Sequence, residues 1–464
     1  MIVMKFGGTS VQDAAAIRNV ARLVLREKQR GPLVVVSACA GVTNELLGIA
    51  QKSMTGNLPE ALTRIASLQQ RHCNIATELF QDERNRAARE LTQKVFARNC
   101  AELEKLAQSV AVLKELTPRA RDQFAAFGEQ WSSLLLCHEL LQFGHECRLL
   151  DARTVMITDN DFTRAAPYFD QITAKARETI LPLLQQQNIV VTQGFIGATT
   201  EGLTTTIGRG GSDYSAAIFG ATLNAEEIQI WTDVDGILTA DPYLLPHAHR
   251  IKQLTFNEAA ELAYFGAKVL HPSTILPAIQ KNIPVRVLNS KRPEGEGTRI
   301  TNSTVSPSIV KSIAYKEGIT LITVRSTRML MAHGFFARLF EVFAAQKKSL
   351  GVIATSEVGV SLTVDDPTHL DDILRELRTF AEVQCEPKRA VICVVGEKFK
   401  AARGIVARVF AALHKAGVKL ELISFGGSEI NLTFVVAEAQ ITTAVQCLHK
   451  ELFAEISAWP EIFE

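Results

Sequence analysis

Four clusters of residues in this chain have the types and spacing for chemistry. Lys5 stands just ahead of Gly7 and Gly8, at the end of the apolar run Ile2 to Phe6. A glycine pair after a strand lets backbone N–H groups approach an anion, and a lysine beside it brings positive charge to a phosphate. The same pair also makes an ordinary tight turn. The richest cluster is Thr206-Ile207-Gly208-Arg209-Gly210-Gly211-Ser212-Asp213, followed by a helix-like stretch from Tyr214 to Phe219. Its glycines free the backbone to approach a ligand, Arg209 offers a bidentate grip on a carboxylate or phosphate, and Asp213 stands where a helix begins. A glycine-rich surface loop with Asp213 as a cap reads the same residues more plainly. Trp231-Thr232-Asp233-Val234-Asp235-Gly236 closes an apolar strand, where open α/β sheets place ligand loops. Asp233 or Asp235 suits a magnesium ion or a ribose, and Asp235-Gly236 equally suits a turn. Last, Phe265 to Pro272 sets Lys268 among small and apolar residues, a setting also ordinary for a surface lysine with a buried stem.

Other chemistries lack their signatures. There is no GxxxxGK[ST] and no GxGxxG after a strand, which speaks against P-loop and dinucleotide-binding folds. His138 and His271 have no second ligand at metal-binding spacing and read as structural, and no Ser-His-Asp or Cys-His order is legible. The eight cysteines are scattered with no CxxC pair, as expected of reduced thiols. Lys plus Arg number 50 against 49 Asp plus Glu, so the net charge of +1 gives no electrostatic case for a nucleic-acid or membrane-surface partner. No apolar run approaches the roughly 18 residues of a membrane span, and the opening Met1 to Ser10 lacks a signal-peptide core, so a cytoplasmic protein is expected.

These residues need elements to position them. At 464 residues, and roughly 150 per domain, two to four domains are expected. Ile2 to Phe6, the glycine turn, a helical pattern from about Asp13 to Glu27 and a buried strand at Leu33 to Ser37 make a βαβ signature. Asn44 to Phe143 reads as a helical layer, and further strands fall at Ile189 to Thr192, Glu227 to Thr232 and Val285 to Leu288. The pattern ends near Arg299, and Thr301 to Pro307 reads as a linker. Beyond it the chain repeats itself. Gly334-Phe335-Phe336-Ala337-Arg338-Leu339-Phe340 matches Gly404-Ile405-Val406-Ala407-Arg408-Val409-Phe410, and the same offset pairs Ile353 with Ile423 and Leu362-Thr363 with Leu432-Thr433. Each copy reads β-α-β-β-α with a further strand, a ferredoxin-like order.

Lys5 to Ser10, Ser37-Ala38-Cys39-Ala40-Gly41-Val42-Thr43-Asn44, Gly128-Glu129, Gly208 to Asp213, Trp231 to Val234 and Phe265 to Pro272 together resemble the aspartate kinase family in order and spacing, over nearly the whole chain. Closest in appearance is the monofunctional, lysine-sensitive type, since no room remains after Glu464 for a fused homoserine dehydrogenase. The resemblance implies an α/β amino-acid-kinase domain over 1–300 and two ferredoxin-like ACT domains over 308–388 and 389–464. It implies transfer of the γ-phosphate of ATP to the side-chain carboxylate of L-aspartate, the first step of lysine, threonine and methionine biosynthesis. Magnesium would travel with the ATP, with no metal site of the protein's own. Lys5, Asp213 and Lys268 take the catalytic roles in this reading. Lys5, Gly7, Gly8, Thr232, Asp233, Lys268 and Val269 would hold ATP. Ser37, Thr43, Glu129, Arg209 and Ser212 would hold aspartate, with Glu129 on its ammonium and Arg209 on a carboxylate. A homodimer or homotetramer joined through the ACT domains is expected.

Some positions depart from the family pattern. Leu238 replaces a tyrosine and Tyr243 an arginine near the nucleotide. At the effector site Met329, Gly334, Phe335, Thr355, Ser356 and Glu357 fit a bound lysine, whereas Met331, Ala332 and Gly351 stand where the family has His, Ser and Asp. Gly351 removes the carboxylate that would pair with an effector's ammonium, so a different effector or lost regulation competes with lysine inhibition. Two other functions compete with an active aspartate kinase. One is a related kinase with another acceptor, which should lack Thr43, Glu129 and Arg209 or the ACT repeat. The other is a silent amino-acid-binding protein, against which Lys5, Arg209, Asp213 and Lys268 stand.

Overall fold

Ile2–Phe6 (β1) and Pro32–Val36 (β2) are buried at every position, as strands covered on both faces must be. Between them Ala14–Arg26 (α1) starts on Asp13, whose side chain accepts from the Ala16 N–H. The computed structural model describes residues 1–464 except 267–271, 305–309, 326–333, 398, 400–401, 455 and 457–458. It divides into two units, one of Met1–Gly236 with Leu270–Asn302, the other of Ile237–Val269 with Ser303–Glu464.

In the first unit β2 leads into a helical layer of Val42–Met54 (α2), Leu58–Leu79 (α3), Arg86–Leu113 (α4) and Pro118–Gln142 (α5). The chain then runs through Cys147–Leu150 (β3), Phe169–Thr179 (α6), Leu181–Gln185 (α7) and Ile189–Gln193 (β4). A small hairpin, Ile196–Ala198 (β5) with Thr204–Thr206 (β6), precedes Gly211–Leu223 (α8) and Glu227–Thr232 (β7). After the segment carrying Gln253–Thr255 (β8) and Phe256–Tyr264 (α9), Leu276–Gln280 (α10), Val285–Asn289 (β9) and Thr298–Thr301 (β10) complete the unit. The order is β3-β4-β2-β1-β7-β9-β10, parallel except where β10 runs against β9. Strand order reverses beside β1, with β2 on one side and β7 on the other. A crevice opens outside the carboxyl ends of strands at such a switch point. Lys5 sits there, in register with Val35 and Ile230.

The second unit carries the repeat. Its strands are Ser312–Arg325 (β11), Ile353–Thr355 (β12), Gly359–Val364 (β13), Glu382–Val395 (β14), Leu422–Ser424 (β15) and Asn431–Ala437 (β16), in the order β12-β13-β11-β14-β16-β15. Its helices include Phe335–Ala345 (α11), Leu370–Leu377 (α12), Ile405–Lys415 (α13) and Ile441–Leu452 (α14). Gly334 and Gly404, equivalent in the repeat, cap α11 and α13 with φ of 88° and 83°, in the left-handed region that glycine enters without strain. The copies interleave. Ser312–Lys316 pairs with Val391–Val395, while Ile319–Arg325 pairs with Glu382–Arg389. The further strand of the second copy is therefore supplied ahead of the first.

The described residues 237–266 pack within this second unit, although the sequence pattern grouped them with the catalytic domain. Ser312 Oγ donates to the Leu238 carbonyl at 2.8 Å, the Ile313 N–H to the Thr239 carbonyl at 2.9 Å, and Tyr315 Oη to Asp241 Oδ2 at 3.0 Å. At α9, Thr255 and Glu258 form a capping box, and buried Glu258 also accepts from the Glu397 N–H at 3.0 Å. Asn431 Nδ2 donates to Glu261 Oε2 at 2.7 Å. Leu238 is thus fixed by its backbone, and Tyr243 is 94% exposed.

If Ser312–Lys316 is a core strand, truncating Ile313, which is 1% exposed, removes packed surface. Ile313→Ala should cost roughly 2–4 kcal/mol. Amide hydrogen exchange at Val391–Val395 should then speed up, whereas unchanged exchange there would show the segment to be a mere linker.

Candidate active site

Helix α5 carries the first functional group. Gly128 is where α5 meets the loop after β2. A Cβ at this position would lie 2.6 Å from the Ala38 Cβ, so only glycine lets the helix come this close. The next residue, Glu129, is 3% exposed and accepts from the Ala38 N–H through Oε1 at 3.2 Å. Its Oε2 is buried with no hydrogen-bond partner. Burial pushes its pKa up to about 8, and the Ala38 bond recovers only part of that cost. Ser132, one turn on, donates through Oγ to the Ser37 carbonyl at 2.7 Å and binds the same loop to the helix.

The second group is an ion pair. Lys5 Nζ lies 2.7 Å from Asp213 Oδ1, with side chains only 11% and 16% exposed. Asp213 is in the first turn of α8, where the helix dipole favours a carboxylate. Gly8 brings the loop after β1 against the loop after β2. A Cβ there would lie 2.8 Å from the Ala38 carbonyl oxygen, and the Ala40 N–H donates to the Gly8 carbonyl at 3.1 Å.

These groups share one cavity of about 660 Å³, and Lys5, Ser37, Thr43, Glu129, Arg209, Ser212 and Asp213 all line it. Every sequence-expected acceptor residue is therefore brought together. Arg209 is exposed and makes no ion pair or hydrogen bond among the described residues, so its guanidinium is free to take an anion. The arrangement offers a buried carboxylate for a cation, a free guanidinium for a carboxylate and a lysine held in place by its own counter-ion.

Two charged lining residues were not anticipated, Arg121 and Asp122. Asp122 stands seven residues before Glu129 on the same helix, two turns away on one face, and that spacing was the available signal. Gly7, Gly8, Thr232 and Asp233 do not line this cavity. They cluster beside it at the carboxyl ends of β1 and β7, where the Gly7 N–H donates to the Trp231 carbonyl at 3.1 Å. Asp233 is exposed and accepts from Thr232 Oγ1 at 3.2 Å, whereas Asp235 is held by Asn289 Nδ2 at 2.6 Å and Arg292 at 2.5 Å. Of the two aspartates, Asp233 is the one left open to a ligand. Lys268 and Val269 lie outside the described residues, as does His271. His138 meets Thr92 Oγ1 at 2.6 Å and the Phe80 ring, a packing role.

At the expected effector residues, Gly334 caps α11, Phe335 packs edge-on to Phe380 at 5.8 Å, Thr355 is exposed on β12, and the Ser356 N–H donates to the Gly359 carbonyl at 2.8 Å. Met329, Met331 and Ala332 lie outside the described residues. A Cβ on Gly351 would lie 2.7 Å from Thr363 Oγ1, a hydroxyl that takes the Val352 N–H at 2.7 Å. An aspartate at 351 would therefore displace that hydroxyl. Among the described residues no helix is long and apolar enough to cross a membrane.

Residues 1–289 match the Amino acid kinase family and residues 392–452 the ACT domain. Lysine-sensitive aspartokinase 3 of Escherichia coli is 37% identical, over 98% of this chain and 99% of its own length. The chain belongs to the aspartokinase family. Aspartokinase 1, chloroplastic, of Arabidopsis thaliana is also 37% identical, over 97% of this chain and 80% of its own. The crystal structure of E. coli aspartokinase III with aspartate and ADP superposes with a TM-score of 0.83, covering 98% of this chain and all of that one at 37% identity. The same enzyme with lysine and aspartate gives 0.80. The amino-acid-kinase fold and the ACT sheet expected from sequence are those of this family.

Glu129 makes this aspartokinase less stable while the cavity is empty. Its folded pKa of about 8 lies above the unfolded value near 4.5, so between these the folded state holds the extra proton and stability falls as pH rises. Glu129→Gln keeps the shape without the charge. The variant should gain thermal stability relative to the parent on going from pH 5 to pH 8 without ligand, and a pH-independent difference would refute the buried-charge reading.

Proposed function

We propose that this aspartokinase binds L-aspartate in the cavity beside β1 and moves the γ-phosphoryl group of MgATP onto its side-chain carboxylate, giving 4-phospho-L-aspartate. The observation that carries the reading is the charge pattern of one cavity. A partnerless buried carboxylate, Glu129, fits an ammonium, and the free Arg209 fits a carboxylate. Lys5, steadied by Asp213, stands where a phosphoryl group would arrive. The ammonium of aspartate takes the open Glu129 Oε2, and Ser37, Thr43 and Ser212 hydrogen-bond the acceptor. The side-chain carboxylate is already ionised near neutral pH, so the attack needs no general base. Positioning and neutralisation of phosphate charge supply the rate. Lys5 provides the cation at the transferring group, and Asp213 keeps its ammonium aimed into the cavity.

The nucleotide is assigned to Gly7, Gly8, Thr232 and Asp233, and by the family resemblance to Lys268 and Val269 as well; magnesium arrives with its phosphates. An amino-acid effector is assigned to Gly334, Phe335, Thr355 and Ser356 of the first ACT domain, with Met329 beside them in sequence. The stacked and exposed Phe336 and Phe340, and the sheet edges β12 and β15, are assigned to a homodimer or homotetramer contact.

Hydroxylamine traps the acyl phosphate. Hydroxamate should form with aspartate and not with glutamate, and none from either would mark a silent binding protein. Lys5→Met should lower kcat by about 10²–10³-fold, the usual loss when one preorganised charge is removed. A kcat within twofold of the parent would take Lys5 out of the reaction.

A further inference from the structure

Asp122 has no role in binding that its contacts explain by themselves. It is 1% exposed, and its carboxylate is fully engaged. Oδ2 accepts from the Thr163 N–H and from the Thr206 N–H, each at 2.9 Å, while Oδ1 accepts from Thr206 Oγ1 at 2.7 Å. Three donors on one carboxylate make a rigid joint, because each is a charge-assisted bond in a place shielded from water.

The joint sits under the guanidinium loop. Thr206 ends β6, and Gly208 and Arg209 follow within three residues. The Thr206 carbonyl is also taken, by the Ala165 N–H at 2.9 Å, so both backbone groups at the root of the loop are fixed. Thr163 adopts a left-handed φ of 76°, uncommon for a non-glycine residue, and its carbonyl lies 3.5 Å from the Cβ that Gly208 would carry. Asp122 therefore holds both layers beneath Arg209 and bears part of the cost of Thr163's conformation.

Asp122 and Glu129 lie two turns apart on α5, about 10 Å along one rigid helix. We infer that Asp122 is a positioning residue for Arg209, so that one rigid helix holds the carboxyl for the acceptor's ammonium at one end and sets the guanidinium for its carboxylate from the other. The inference rests on the reading of Arg209 as the carboxylate anchor.

A double-mutant cycle on the full chain tests this. Asp122→Asn points an amide at one of the three donors and loosens the loop. It should raise the aspartate KM by about 10–30-fold and leave kcat and the ATP KM within about threefold, the split expected when acceptor binding alone is lost. Thr206→Val, which removes only the hydroxyl bond, should give a smaller change of the same kind and serves if Asp122→Asn folds poorly. In an Arg209→Ala background Asp122→Asn should add less than about twofold, because coupled residues are non-additive. If Arg209→Ala raises the aspartate KM and Asp122→Asn multiplies that effect, or shifts kcat and the ATP KM equally, the positioning role is overturned. If Arg209→Ala leaves the aspartate KM unchanged, the anchor reading fails and the inference with it.

Discussion

One buried carboxylate organises the catalytic unit. Glu129 is enclosed, takes a single backbone hydrogen bond, and leaves its second oxygen without a partner. A buried carboxyl with an unpartnered oxygen is costly, so the surrounding structure must hold it in place against its own preference for water. Helix α5 does this by being nearly all buried from Phe124 to Leu136, packed under α1 to α4, with Gly128 letting it touch the loop after β2. The helical layer between β2 and β3 has a purpose beyond covering the sheet, because it fixes the depth at which the carboxylate meets the cavity.

The opposite wall uses a different device. Lys5 is also buried, but it is paired, and its partner Asp213 comes from a helix N-terminus on the other side of β1. Pairing keeps the ammonium aimed, whereas Glu129 is kept unpaired and open to a cation. The two treatments of buried charge separate a site that must grip a ligand from a site that must present charge to one. The switch point beside β1 makes both possible, since loops from neighbouring strands converge there and glycine at 8 and 128 permits the contact.

Much of this was legible in the sequence. Strand-turn-helix order gave β1, α1 and β2, and the repeat of α11 in α13 showed the paired ferredoxin-like units, because local periodicity reports local structure. The acceptor residues were legible only through resemblance, since Ser37, Thr43, Glu129 and Arg209 come from four distant segments and no spacing links them. Asp122 escaped notice because its bonds are to backbone N–H groups 41 and 84 residues away, which no side-chain motif records. The exchange of Ser312–Lys316 into the second repeat escaped for a similar reason: it is a pairing between strands, and a period of repeats does not say which strand joins which sheet. Residues 237–266 read as part of an α/β domain by continuity, yet Leu238, Thr239 and Glu258 hydrogen-bond to β11, α14 and the loop after β14.

The central claim is that Glu129 waits protonated for an ammonium. With a pKa of about 8, most empty sites carry that proton at pH 7, and a bound ammonium would expel it. Calorimetric titration of aspartate in buffers of different ionisation enthalpy measures the proton directly. The account predicts release of close to one proton at pH 7, dwindling by pH 9 and absent in Glu129→Gln. Binding without proton release, or release unchanged in that variant, would contradict it.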